Sequence, residues 1–212
     1  MAEVTTQRAG HRQRQANQTR HLIVEAARSL FAKNGYASTS MEAVADAAGV
    51  APRTVYSVFG NKKALLGAIC EAWLMEAGIP DTIAEGFRES DLGRRIFLVA
   101  RASRRQWELE RGTRALLEGA ASSDADVARM LAGWKEDRAR SWHLVIRGLE
   151  GQLRPGLSAS RAVALMRALT SAEVYFELVH GEGWSPDEYE EWLGGLLVEL
   201  ISRARVGRGR KS

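Results

Sequence analysis

Apolar residues recur at spacings of three and four along most of the 212-residue chain, which is the pattern of amphipathic helices. The segment "TRHLIVEAARSLFAKNGY" is an example. Its apolar stripe consists of Leu22, Ile23, Ala26, Ala27, Leu30 and Phe31. Alternating runs of β-branched residues, the signal of strands, are rare. The periodicity therefore predicts an all-α fold.

The composition limits the class of protein. Hydrophobic residues make up 45% of the sequence and charged residues 26%, as in ordinary globular proteins. No uninterrupted apolar run approaches the roughly 18 residues of a membrane span, and the N-terminal segment lacks the apolar region of a secretory signal. Cys70 is the single cysteine, so no intramolecular disulfide can form. We expect a cytoplasmic protein without membrane partners.

Charge is distributed unevenly along the chain. Residues 1–66 contain nine Lys or Arg against four Asp or Glu, residues 67–202 contain sixteen against twenty-two, and residues 203–212 contain five against none. The two basic ends suggest that one part of the chain binds a polyanion while the body does not. Basic ends are often merely solvated, so this pattern is weak on its own.

Two short helices follow the first helix closely. Thr39 and Glu42 stand three apart as a capping box for a second helix, which Gly49 closes. Pro52 suits the first position of a third helix that runs to about Phe59, and "GNKK" opens a fourth. This order of helices and turns is the outline of a helix-turn-helix within a small helical bundle.

The third helix has two faces of different chemistry. Val55 and Phe59, four residues apart, face inward. The outward side chains have the types that read bases in the major groove; they are Arg53, Thr54, Ser57 and Val58, with Tyr56 at the margin. Arg53 can pair with a guanine edge, Ser57 can bond to several bases, and Val58 can touch a thymine methyl group.

Other side chains near this helix suit phosphate oxygens. Thr39 and Ser40 stand where the second helix would start with its positive dipole end. Tyr56 and Lys62 offer a hydroxyl and a cation to the DNA backbone. The residue types alone leave an alternative open, namely a surface helix whose Arg53 and Lys62 are merely solvated.

Residues 18 to about 75 resemble the DNA-binding domain of TetR-type transcriptional repressors. The matches stand in one order: Ala26 to Phe31 ("AARSLF"), Gly35-Tyr36, Thr39-Ser40, Val44-Ala45, Ala48-Gly49-Val50, Thr54-Val55-Tyr56, Phe59, and Lys62 before Leu65-Leu66. The resemblance implies that the third helix reads bases while Tyr56 and Lys62 hold the DNA backbone. Ala51 departs from the pattern, since many relatives place a polar cap at the start of the reading helix.

The resemblance also implies an N-terminal three-helix DNA-binding domain joined to a C-terminal helical domain that binds a ligand and dimerises. Helical periods beyond residue 80 lie near 91–111, 113–121, 124–152, 159–180 and 186–204. We therefore divide the chain into a disordered basic arm (1–17), a helix-turn-helix domain (18–66), a ligand-binding and dimerisation domain (67–204) and a disordered basic tail (205–212).

Candidate ligand-binding residues in the C-terminal body are mostly aromatic. Arg138 interrupts an apolar stripe between Trp134 and Trp142, and its guanidinium could bind an anionic or planar ligand. The alternative is structural, with the aromatic stripe in the core and Arg138 paired with an acid. The candidates are Phe97, Trp107, Trp134, Arg138, Trp142, Met166, Tyr175 and Phe176.

The last two predicted helices carry apolar faces larger than one small domain must bury. Packed against a symmetry mate, they would form a four-helix interface. Gly194 and Gly195 would allow close helix approach there. The candidate interface residues are Leu169, Phe176, Trp192, Leu196 and Leu200.

These observations lead to the hypothesis of a homodimeric repressor that an unidentified small molecule releases from an inverted-repeat operator in double-stranded DNA. An activator, or a regulator without an effector, is the alternative within the same fold. An α-helical enzyme or a protein-only adaptor is a remote alternative, because the sequence shows no nucleophile–base pair, metal-ligand cluster or phosphate loop. We expect no catalytic residue, metal or cofactor.

Overall fold

The computed structural model describes residues 2–203. The side chains of residues 2–10, 12, 135, 137–139 and 141 are outside that description. The predicted basic tail at 205–212 also lies outside the described residues.

Helices form nearly all of the regular structure within residues 2–203, which confirms the all-α prediction. The helices are α1 (Ala2–Asn34), α2 (Met41–Ala48), α3 (Pro52–Phe59), α4 (Lys62–Glu76), α5 (Ile79–Arg88), α6 (Leu92–Glu108), α7 (Thr113–Ser123), α8 (Ala125–Ile146), α9 (Ala159–Leu169), α10 (Ala172–Phe176) and α11 (Pro186–Ile201). A 3-10 turn lies at Glu150–Gln152, and a π-helical turn at Glu177–Gly181 continues α10.

The helices belong to two compact units. The first comprises the chain up to Trp73 together with Arg111–Leu131, and the second comprises Leu74–Glu110 together with the chain from Ala132 onward. α7 and the start of α8 therefore belong with the N-terminal helices. A single cut at residue 66 cannot reproduce this division, because each unit is discontinuous in sequence.

The core of the first unit takes one apolar face from each of its helices. The buried side chains at its centre are Ile23, Ala27, Phe31, Val44, Ala45, Val55, Phe59, Leu65, Leu66, Ile69, Leu116, Ala120 and Val127. Gly49 ends α2 in the left-handed region (φ 67°), and its N–H donates to the carbonyls of Ala45 and Asp46. This sharp stop allows α3 to begin at Pro52.

α6 is the central helix of the second unit and packs against α5 and α11. The fully buried side chains along this contact include Leu92, Ile96, Ala100, Leu193, Leu197 and Ile201. Arg95 of α6 is buried as well, and its guanidinium donates to the carbonyls of Glu89, Val145 and Arg147. A cation placed against carbonyls at helix ends is stabilised by their dipoles, so Arg95 ties the ends of α5 and α8 to α6.

The predicted disordered arm at 1–17 needs correction. Residues 2–17 continue α1 as helix, so α1 begins at Ala2. This stretch is rich in Ala, Gln and Arg, contains no proline, and has Gly10 as its one weak helix former. The absence of an apolar stripe argued against structure there, but helix propensity requires no stripe.

The sequence analysis also misses α5. Gly78 and Pro80 resemble a break, yet Gly78 lies just before the helix in the left-handed region (φ 66°) and Pro80 occupies its first turn. A missing N–H costs no hydrogen bond at that position. The same two residue types therefore mark a helix start here.

Two predicted helices are shorter than expected. The helix predicted at 124–152 ends at Ile146, before Gly148 adopts a φ of 77°. The helix predicted at 159–180 is interrupted after Leu169, where the Thr170 hydroxyl donates to the Met166 carbonyl at 2.8 Å.

Gly194 has a different role from the one predicted. It is buried in α11, and a methyl group at this position would lie 2.5 Å from two ring carbons of Phe97 on α6. The close approach at Gly194 is therefore between two helices of the same chain. Gly195 is half-buried, and a methyl group there would meet nothing within 4 Å.

We expect Gly194→Ala to destabilise the protein relative to a matched control, Gly119→Ala. Both glycines lie inside helices, but a methyl group at Gly119 meets nothing within 4 Å. Gly119→Ala should raise the free energy of unfolding by about 1 kcal/mol through helix propensity. Gly194→Ala should lose that gain and about 1–3 kcal/mol more, because the Phe97 ring must move. Urea unfolding of both variants measures the difference, and equal stabilisation would contradict the packing described.

Candidate nucleic-acid interface

α3 is held by its inner face and leaves its outer face exposed. Val55 is fully buried and Phe59 is 7% exposed, while the Arg20 guanidinium lies 4.8 Å from the centre of the Phe59 ring. The side chains predicted to face outward do so: Arg53, Ser57 and Val58 are exposed and Thr54 is half-buried. Ala51 precedes the helix without a side-chain cap, as its residue type requires.

The start of α2 differs from the predicted capping box. The N-cap is Ser40, whose hydroxyl accepts a hydrogen bond from the Ala43 N–H at 3.0 Å. Thr39 is only 2% exposed, and its hydroxyl donates to the Gly35 carbonyl at 2.9 Å. Thr39 stabilises the turn before α2, so its side chain is not at the surface that Ser40 shares.

Tyr56 has a partner that the sequence did not reveal. The ring is 45% exposed, and its hydroxyl donates to Oε1 of Glu42 at 2.9 Å. Hydrogen bonds from the backbone N–H of Glu42 and from the Tyr56 hydroxyl lower the pKa of Glu42, and the bond to Glu42 raises the pKa of Tyr56. Fourteen residues separate this pair, so only the fold brings them together.

Lys62 is half-buried, and its ammonium group is fully occupied. Nζ donates to the carbonyls of Tyr36 (2.8 Å), Thr39 (3.1 Å) and Ala37 (3.2 Å). It also lies 4.4 Å from the centre of the Tyr36 ring. A phosphate could reach Lys62 only by replacing one of these partners. Geometrically, then, the residues available at one exposed surface are Ser40, Arg53, Tyr56, Ser57 and Val58.

Four of the predicted ligand-binding residues come together in the second unit. The Trp107 and Phe176 rings lie 6.4 Å apart, and Tyr175 contacts Phe176 with a centroid distance of 5.6 Å. Trp107 Nε1 donates to the Thr170 carbonyl, which ends the turn that begins at the buried Met166. These side chains pack against one another as core residues do.

The other predicted ligand residues lie apart or outside the description. Phe97 stands ten residues before Trp107 on α6, about 15 Å along the helix, and rests on Gly194. Trp134 and Trp142 are half-buried on α8. The side chain of Arg138, between them, is outside the described part of the chain.

A buried polar group in the second unit was also not predicted. The Tyr189 hydroxyl lies 3.0 Å from Ser103 Oγ, and burial raises the pKa of Tyr189 to about 12. Tyr189 packs edge-on against Tyr175, with centroids 4.9 Å apart. The only sequence signal for Tyr189 was its place on the inner face of the last helix.

The predicted dimer residues share an intermediate burial. Apolar side chains on α9, α10 and α11 are neither in the core nor fully exposed; they are Leu169, Phe176, Trp192, Leu196 and Leu200. On α11 the alternate face, with Leu193 and Leu197, is fully buried. The half-buried face therefore remains beside a complete core.

None of the helices in the described range is sufficiently long and apolar to cross a lipid bilayer. Over the same residues, no cluster of three or more His, Cys, Asp or Glu side chains could hold a metal ion.

Known proteins match the chain in two ways. Residues 23–69 match the family described as bacterial regulatory proteins, tetR family. Over 57 residues the chain is 42% identical to the HTH-type transcriptional regulator UidR of Escherichia coli strain K12. That match covers 27% of this chain and 29% of UidR, so it spans less than a third of the relative.

Solved structures match over most of the length. NalD, the secondary repressor of the MexAB-OprM multidrug efflux pump in Pseudomonas aeruginosa, is 20% identical with a TM-score of 0.65, and the match covers 90% of this chain and 100% of NalD. FadR from Bacillus subtilis in complex with stearoyl-CoA is 18% identical with a TM-score of 0.62, covering 85% and 98%. By its helix-turn-helix segment and by its fold, the chain belongs to the tetR family of bacterial regulatory proteins.

Proposed function

We propose that the protein is a homodimeric, sequence-specific DNA-binding repressor that a small-molecule effector releases from an inverted-repeat operator. The observation that carries the proposal is the outer face of α3. Arg53, Ser57 and Val58 are exposed there, while Val55 and Phe59 fix the helix in the core. A helix that enters the major groove needs this combination of free polar groups and a rigid support. The match of residues 23–69 to regulatory proteins supports the same function.

The contacts divide into base reading and backbone binding. Arg53 reads guanine, Ser57 bonds to a base edge, Val58 contacts a thymine methyl group, and Thr54 borders them. Ser40 binds phosphate at the amino end of α2, where the helix dipole favours an anion. Tyr56 contributes its hydroxyl once Glu42 shares or releases it. This surface acts on genomic DNA, which places the protein in the cytoplasm.

The dimer forms through the half-buried face of the last helices, defined by Leu169, Phe176, Trp192, Leu196 and Leu200. A two-fold axis through such a face presents two α3 helices to successive major grooves, about 34–36 Å apart. Because one half-site of a few bases gives too little specificity for a genome, the pair of helices is needed for operator selection.

The effector binds in the second unit, as the stearoyl-CoA complex of FadR suggests for this fold. The group formed by Trp107, Tyr175, Phe176 and Met166 supplies apolar surface for it. An effector changes DNA binding only by its differential affinity for two states of the dimer. The group touches both α6 and the proposed dimer helices, so a rearrangement there reaches the interface directly.

Arg53→Ala should weaken binding to a duplex selected from a randomised pool by about 1–3 kcal/mol and relax the preference at one base pair in each half-site. Arg129→Ala is the matched control, because Arg129 is an exposed arginine of the first unit that pairs with Asp126. Fluorescence anisotropy on selected and random duplexes measures both effects. An equal loss on the two duplexes would show that Arg53 does not read a base.

Replacing Leu196 and Leu200 together by Glu should produce a monomer in sedimentation, since four like charges would then meet across the two-fold axis. The monomer should retain only weak, salt-sensitive DNA binding. The control replaces Ile83 and Phe87 of α5 by Glu, because these residues are exposed apolar positions away from the proposed interface. A stable dimer with Glu at 196 and 200 would place the interface elsewhere.

Glu42→Gln should strengthen binding to both selected and random duplexes several-fold. The change removes a negative charge from the DNA surface and frees the Tyr56 hydroxyl for phosphate. The gain should shrink in a Tyr56→Phe background. Because the pKa of Glu42 is lowered, the carboxylate stays ionised well below neutral pH, so acidifying from pH 7 to about pH 5 should not reproduce the effect. Unchanged affinity in Glu42→Gln would remove Glu42 from the interface.

A further inference from the structure

We infer that Lys62 serves the DNA interface as a positioning residue, holding the start of α2 in place instead of contacting a phosphate itself. The inference rests on the proposed function, because it concerns how the DNA surface is built. It reverses the role that the resemblance implied for this lysine.

The geometry leaves Lys62 without a donor to offer. A lysine ammonium has three donor hydrogens and no acceptor. In the structure Nζ has three carbonyl partners, those of Tyr36, Ala37 and Thr39, at 2.8 to 3.2 Å. The Tyr36 ring, 4.4 Å away, adds a cation–π contact. A phosphate contact would therefore cost Lys62 an existing hydrogen bond.

The three carbonyls belong to the segment that connects α1 to α2, directly before the N-cap Ser40. Tyr36 is itself buried edge-on against Phe31, with centroids 5.3 Å apart. The Thr39 hydroxyl closes the other side of the segment on the Gly35 carbonyl. Lys62 is the first residue of α4, so its side chain ties the start of one helix to the start of another.

This tie acts on DNA through Ser40 and the amino end of α2. α2 has only eight residues and its cap lies next to the clamped segment, so a shift of the segment moves the cap. A hydrogen-bond donor must lie within about 3 Å of a phosphate oxygen. Loss of the clamp therefore misplaces the backbone contact without removing a phosphate-binding charge.

Two substitutions separate positioning from direct contact. Lys62→Ala removes both the clamp and the charge. Lys62→Arg keeps the charge and would serve a phosphate well, but its planar fork does not fit a seat made for one compact ammonium. Lys63→Ala is the matched control, because the neighbouring Lys63 is half-exposed and faces Asp126 at 3.7 Å.

Each variant is titrated by fluorescence anisotropy against the duplex selected from a randomised pool by the full-length wild type, over a series of salt concentrations. Circular dichroism fixes a temperature at which every variant is folded. We expect at least a tenfold loss of affinity in both Lys62→Ala and Lys62→Arg, with the slope of log K against log salt unchanged. Lys63→Ala should change neither quantity appreciably.

Three outcomes would overturn the inference. A slope reduced by about 0.9 in Lys62→Ala, with affinity retained in Lys62→Arg, would make Lys62 a direct phosphate ligand. A lower unfolding temperature with unchanged affinity in the folded variants would make it a purely structural residue. The same loss in Lys63→Ala would reduce the effect to net charge. Failure of the wild type to select any duplex would instead refute the proposed function.

Discussion

The DNA-binding surface depends on one constraint, which is that its two critical helices cannot exist alone. α2 and α3 have eight residues each, below the roughly 12–15 at which an isolated helix becomes even marginally stable in water. Their structure must come from the buried faces, with Val44 and Ala45 on α2 and Val55 and Phe59 on α3. Because the inner face supplies the stability, the outer face of α3 is free to carry whatever side chains recognition requires.

Polar contacts then refine what the apolar core only approximates. Burial fixes which face of α2 points inward, but it does not fix where the helix begins along its axis. The Ser40 cap, the Thr39 hydroxyl and the Lys62 ammonium set that position through directed hydrogen bonds. Directional bonds specify distances to a few tenths of an ångström, and a phosphate contact needs that precision. The short connections of the first unit are therefore as important as its core.

The sequence predicted features that repeat and missed features that converge. Helical period and turn residues were enough to place α2, α3 and the buried pair Val55 and Phe59, because these signals are local. The partnership of Tyr56 with Glu42 joins residues fourteen positions apart, and that of Lys62 with Tyr36 spans 26 positions. No local pattern encodes such distances. The aromatic stripe behaved similarly, since Trp107 meets Phe176 while Phe97 lies on another part of α6.

α11 shows how one helix can belong to two interfaces at once. Its inner face packs so closely on α6 that Gly194 leaves no room for a methyl group beside Phe97. Its other face, with Trp192 and Leu196, stays half-buried. The helix is thus rigidly seated by one side, and any movement of α6 must be passed to the other side as a displacement of the whole helix, because a close-packed contact transmits strain. If the effector acts through the group around Trp107 on α6, then α11 needs no separate switch to carry its effect to a partner subunit.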